Sequence, residues 1–334
     1  MTLIKNLLQV QLGTNDSDWD TLMPGTVKLM GVNSASLKSV QETEMKEELR
    51  GTVHPGYIAV VKEAHGEGSL EMHLTYEDAP YFLDALLGAA VSGTSDGVRD
   101  YTASADWASS DPQPSIFTIK YGSASSDNYV AGMPGATLTK FNLSGESGGQ
   151  LMLSADFLGK EVATSDGTLA ALSDRDVNIV LGAHGALWID VSSDTVGTTA
   201  ITTTAFAFEL DVEPGRSLAT HMGSLTPSGY RHGKFAATLQ LTLEMTADMY
   251  TIFQALLDPA VTQTLASRVV RLKFTSGGLI LQLDFAGVVL EKPEAFTDRD
   301  GVVTLEMTLT AVYNSVLGTW MKANSTVPDL GTLA

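Results

Sequence analysis

The chain has 334 residues, 44% of them hydrophobic and 18% charged, with 39 acidic against 20 basic side chains and a formal net charge of -19. That length exceeds one ordinary domain and can fill two cores, and so much apolar residue excludes disorder for want of a core. The negative balance argues against nucleic-acid binding, which rests on Lys and Arg displacing counterions, and the absence of cysteine excludes disulfides, thiolate metal sites and Cys nucleophiles.

The chain opens on MTLIKNLLQVQLGTNDSDWD, without the cationic start, long apolar run and small-residue cleavage site of a signal peptide. No apolar stretch approaches the ~20 residues of a membrane helix. The expectation is a soluble protein made in the cytoplasm, without membrane insertion.

After GTVHPGY (Gly51 to Tyr57) comes a strand whose apolar residues alternate at Leu70, Met72 and Leu74. It runs into a short helix with a stripe at Phe82, Leu83, Leu86 and Leu87, for which Asp78 and Pro80 supply a start. The Ser-, Asp-, Gly- and Pro-rich stretch Val91 to Ser115 reads as a projecting loop or arm. SIFTIKY (Ser115 to Tyr121) is a strand, and LTKFNLSGESGGQLMLSADF from Leu138 is a hairpin with turn chemistry at Gly145 to Gly149.

The pattern then repeats. GSLTPSGY (Gly223 to Tyr230) resembles GTVHPGY, and the strand at Leu239, Leu241 and Leu243 matches the first at an offset of 169. The helix stripe Ile252, Phe253, Leu256 and Leu257 matches at 170, with Thr246 and Asp248 as its start. LEKPEAFTDRDGVVTLEMTL from Leu290 matches the hairpin at 152 without a gap, setting Leu151, Leu153 and Phe157 against Val303, Leu305 and Leu309. Four blocks in one order imply a duplicated module. FAFELDV, RVVRLKF and LILQLDF are further alternating strands. The expected fold is all-β: two tandem related β-sandwich or barrel modules, residues 1–173 and 174–334, each with one short packed α-helix.

No constellation of catalytic residues emerges. GTSDG (Gly93 to Gly97) matches a hydrolase nucleophile motif but follows a helix and enters a polar loop, the reverse of what that motif needs. His54, His65, His73, His184, His221 and His232 show no metal-ligand spacing. DRDG (Asp298 to Gly301) lacks the remaining ligands of a calcium loop and sits where a hairpin wants turn residues. Trp19, Trp107, Trp188 and Trp320 are scattered and form no sugar platform. The reading is a non-enzyme with no catalytic, cofactor-binding or metal residues. Acidic side chains at Glu71, Asp156, Glu244 and Glu306 lie opposite the apolar register: a solvated outer face, or a negatively charged wall.

GSLEMHLTYEDAPYFLDALLG, the Gly-Pro-Tyr stretch before it and GATLTKFNLSGESGGQLMLSADFLG together resemble a tailed-phage (siphophage) major tail tube protein, over about Gly51 to Tyr313. The second helix keeps Ala255, Leu256 and Leu257 but has Asp258-Pro259 in place of the glycine. What the resemblance implies is a structural subunit whose two modules build a pseudo-hexameric ring from a homotrimer. The rings stack into a tube through which genomic DNA passes without specific binding. It implies a place in the virion tail, assembly in the host bacterial cytoplasm, and tape measure, tail terminator and tail-tip proteins as partners. Glu71, Asp156, Glu244 and Glu306 become lumen-facing residues. Gly93, Asp100, Tyr101 and Trp107, with the N-terminal arm and the polar C-terminal tail, become inter-ring contacts. Other readings are a different virion β-protein, such as a tail-tip ring or capsid decoration, and a carbohydrate-binding or hydrolytic β-sandwich.

Overall fold

The alternation of apolar and polar residues that runs through this chain suits a sheet with one buried face, and strands carry nearly all of the fold. A computed structural model describes residues 8–14, 19–46, 58–90, 97–104, 113–123, 130–163, 169–201, 205–257, 267–291, 294–299 and 301–328. The first half contains β1 (Leu8–Thr14), β2 (Val27–Lys28), β3 (Val32–Lys46), β4 (Ile58–His73), helix α1 (Ala79–Leu87), β5 (Val98–Thr102), β6 (Phe117–Ser123), β7 (Val130–Glu146) and β8 (Met152–Gly159). The second contains β9 (Gly185–Val191), β10 (Ala200–Ile201), β11 (Ala205–Glu213), β12 (Ser217–Ala219), β13 (Gly229–Arg231), β14 (Ala236–Glu244), helix α2 (Ala247–Leu257) and β15 (Ser267–Ser276). It continues through β16 (Leu279–Val289), β17 (Glu294–Arg299), β18 (Val302–Ala311) and β19 (Met321–Thr326). The structure is mostly antiparallel β with short helices, as the alternation predicts.

Each half runs through the same antiparallel pairings. The first has the order β2-β1-β6-β7-β8-β4-β3. The second has β10-β9-β15-β16, continues to β18 through the end of β16 and through β17, and finishes β14-β11. The helix follows β4 in one half and β14 in the other. Strand β7 is continuous where its counterpart is split into β16 and β17. Its partner changes from β6 to β8 just past Gly135, which has φ +63 and lies against Trp19; a Cβ there would come within 2.7 Å of the indole. Among the described residues two strand pairings cross between halves, β7 with β11 and β5 with β19, and one hydrophobic core runs through both.

The pairing corrects the offset expected for the first strand. Leu70 lies opposite Ala155, and Leu241 opposite Met307. With Ala155 and Met307 matched at 152, Leu70 answers to Leu241 and not to Leu239. The slip is two residues, so every side chain keeps its face, and alternation alone could not have shown it. Val303, matched to the buried Leu151, is exposed beside its turn.

The helix starts differ too. At α2 the Thr246 hydroxyl accepts the Met249 N–H at 3.4 Å, an ordinary cap. At α1 the buried Asp78 caps nothing: its carboxylate accepts the Met30 N–H at 3.2 Å and pairs with Arg175. Burial raises the Asp78 pKa, against the opposing pull of Arg175. Arg175 also donates to the Lys28 carbonyl at 2.9 Å, and Lys28 binds Asp174 at 2.5 Å. The start of the expected second module, at Asp174 and Arg175, is therefore clamped to the first half.

The stretch 91–115 is not all loop. Residues 98–102 are β5, held against β19; 91–96 and 105–112 lie outside the described residues, as do 51–57.

Asp190, fully buried on β9, ties down the turn to β10. Burial raises its pKa, but donation from Gly197 N at 2.6 Å, the Thr198 hydroxyl at 2.8 Å and Thr199 N at 2.7 Å wins, and the net shift is downward. A lowered carboxylate contributes stability that is present above the unfolded pKa of about 4 and is lost as pH falls through the folded value. Asp190→Asn is therefore expected to cost about 2 kcal/mol at pH 7 in denaturant titrations, a gap that narrows below about pH 4. A gap independent of pH would remove the carboxylate from this account.

Candidate functional site

Eight strands form one continuous surface in the order β3-β4-β8-β7-β11-β14-β18-β17, four from each half. One face is the core, carried by Leu70, Leu153, Leu143, Leu210, Leu239 and Leu309. Directly opposed residues of neighbouring strands share a face, so rows on the other side can be read from the register. One row is Ser34, Glu71, Ser154, Asn142, Asp211, Thr238 and Thr310, and its neighbour is His73, Met152, Ser144, Glu209, Gln240 and Thr308.

All four acidic residues singled out from the sequence fall on this polar face. Asp156 lies opposite Ser69 and Lys140, Glu306 opposite Thr242, and Glu244 one step further along β14. Glu71 and Glu306 are exposed; Asp156 and Glu244 are half-buried. The face also carries Glu67, Glu209, Asp211 and Glu213, which the sequence reading passed over. The signal for the last three was present in FAFELDVE, where Phe208, Leu210 and Val212 alternate with Glu209, Asp211 and Glu213.

Hydroxyls and acids dominate the chemistry. Ser34 donates to Glu71 at 3.1 Å, the Ser36 and Ser69 hydroxyls meet at 2.7 Å, and Asn142 donates to Glu209 at 2.7 Å across the junction of the halves. Two cations described on this face lie beside acids. Lys38 binds Glu67 at 2.6 Å, holding that carboxyl below its usual range, and Lys140 lies 3.8 Å from Asp211. A polyanion meets little here that would retain it.

The expected inter-ring residues are dispersed. Gly93 and Trp107 lie outside the described residues. Asp100 is exposed and accepts from Asn324 Nδ2 at 2.6 Å. Tyr101 alternates inward, 1% exposed, its hydroxyl donating to the Pro80 carbonyl at 3.4 Å, and burial raises its pKa. Its side chain belongs to the core of its own subunit. A different projection stands out. Strand β4 pairs with β8 only over Gly66–His73, and Ala64 N–H donates to the Leu225 carbonyl at 2.8 Å, so Ile58–Glu63 and the facing part of β3 form a two-stranded ribbon, with Met45 and Val60 exposed.

Among the described residues no group of three or more His, Asp or Glu could hold a metal ion, and no helix is long and apolar enough to cross a membrane. The family model for phage tail tube proteins matches residues 9–311. The chain belongs to the phage tail tube protein family. No curated protein matches it. As a phage tail tube protein it is a structural subunit of the virion tail, and its polar sheet face and strand edges are to be read as parts of an assembly.

Proposed function

We propose that this protein is a duplicated tube module, residues 1–173 and 174–334, of which three copies close into a pseudo-hexameric ring in a siphophage tail. Rings stack into a tube whose lumen is the acidic sheet face, and genomic DNA slides through without binding. Tape measure, terminator and tip proteins are its partners. The observation that carries the reading is the eight-stranded polar face, built from four strands of each half and bounded by β3 and β17. Among the described residues each of these two pairs on one side only, and closing the sheet would remove both edges.

Strand geometry supports three copies. Three copies bring roughly 24 strands; at ~4.8 Å spacing and ~40° tilt the backbone diameter is about 48 Å. Side chains reaching ~6 Å inward leave about 36 Å, room for a hydrated duplex. Two copies leave about 20 Å by the same geometry, which a duplex would fill. One copy would close a barrel packed solid by its own side chains.

The β3–β4 ribbon suits stacking better than the stretch 91–115. A lone two-stranded ribbon is marginal in water, and this one carries exposed apolar residues that another ring could cover. Imaging the concentrated protein by negative stain, with native mass spectrometry of short assemblies, tests the proposal. Tubes whose rings contain three copies are expected. Six copies per ring, or particles that never elongate, would overturn it.

A further inference from the structure

The β7–β11 junction inside the chain has the form of a contact that its own free edges could make with a second copy. Strand pairing matches β7 to β17 and β11 to β3: Leu143 answers to Ala295, Ser144 to Thr297, Gly145 to Asp298, Ala207 to Ser34, Phe208 to Ala35 and Glu209 to Ser36. We propose that β17 of one copy pairs antiparallel with β3 of the next in the register of that internal junction. Ser36 then falls opposite Thr297, and Ala35 opposite Asp298. This inference rests on the ring reading above and names its seam.

Three features favour the register. Within the chain, Phe208 is paired with Gly145, where an added Cβ would come within 2.8 Å of the phenyl ring. At the free edges both residues change together: the ring becomes Ala35 and the glycine becomes Asp298, so volume moves from one strand to the other. In the same register Asp211 opposite Asn142 becomes Lys38 opposite Glu294, and opposite charges at opposed positions favour pairing.

The third feature is a cavity and its unfinished counterpart. A cavity of about 530 Å³ lies where Gly145, Glu146 and Ser147 cover Leu187, Phe208 and Leu272 of the second half. At the matching place in the first half is a cleft of about 220 Å³ over Val10, Ala35 and Tyr121, residues that strand pairing equates with those three. Among the described residues none stands over it as Gly145–Ser147 stand over the other. The end of β17 of a second copy, at Asp298 and Arg299, supplies the missing wall. The cleft has Gln9 and Lys28 where the cavity has Ala186 and Ala200, and the incoming strand end has Asp298 and Arg299 in place of Gly145 and Glu146. Both sides become more polar together.

A chain without cysteine makes the test direct. Directly opposed antiparallel residues lie within disulfide reach. The full-length double variant Ser36→Cys with Thr297→Cys should oxidise, in assembled tubes, to closed covalent rings that survive denaturing electrophoresis. The shifted pair Ser34→Cys with Thr297→Cys should give little cross-linking. Tubes that form while neither pair cross-links, or in which the shifted pair reacts better, overturn the register and leave the ring reading intact. Absence of any tube from the unmodified protein overturns both. As a second arm, Lys38→Glu and Glu294→Lys should each reduce assembly several-fold, and the two together restore it; additive loss would count against the pairing.

Discussion

Replacing Arg216 by methionine is expected to destabilise the unassembled subunit by about 3–5 kcal/mol, because several buried acceptors lose a charged donor at once. Arg216 follows β11 in the second half, yet its guanidinium reaches into the first. It donates to Ala85 O at 2.5 Å, Leu86 O at 2.9 Å and Leu138 O at 3.1 Å. The first two are terminal carbonyls of α1, which have no partner within the helix and stand at the negative end of its dipole. Burial lowers the Arg216 pKa to about 10, so it remains charged at neutral pH. Lysine keeps the charge but cannot fork between acceptors, and Arg216→Lys should fall between wild type and methionine. Urea unfolding followed by circular dichroism measures all three. Equal midpoints would show that the contact does not join the halves.

Reversing the charge of the sheet face should change what the tube does without changing how it forms. Glu71, Glu209 and Glu306 are exposed and come from both halves, so lysine at each leaves the core untouched. Tubes of the triple variant are expected to assemble at normal width and to retain duplex DNA at about 50 mM salt, releasing it near 200 mM, since six or more phosphate contacts cost 10³–10⁵ in affinity over that range. Phage carrying the variant should eject DNA about 10-fold more slowly or worse, because each ring then holds the duplex it now repels. The triple glutamine variant separates charge from shape and should neither retain DNA nor slow ejection strongly. Lysine tubes that exclude DNA as well as wild type would put this face on the outside.

The sequence reading and the structure agree where local pattern is sufficient. Leu70, Met72 and Leu74 alternate and are buried; Phe82, Leu83, Leu86 and Leu87 form the stripe of α1 and are buried. The side on which Glu71 and Glu306 would lie followed from the same alternation. Three things did not follow. Tyr101 sits in a polar stretch that reads as a loop, and only the edge offered by β19 makes a strand of it. The Leu70–Leu241 correspondence is hidden from sequence because a two-residue slip leaves an alternating pattern unchanged. Arg216 follows Pro214 and Gly215 in what looks like a turn, and nothing nearby announces carbonyls some 130 positions away.

The order of residues by itself determined the strongly alternating strands, the two short helices, which face of each of those strands is apolar, and that their polar faces carry acids. These depend on neighbours two to four positions apart. Only the tertiary structure decided that β7 and β11 join two four-stranded faces into one, that β3 and β17 remain at its borders, and that a buried arginine ties the halves together. Hydrogen-bond registers and long-range desolvation are properties of segments far apart in the chain, and local periodicity carries no record of them.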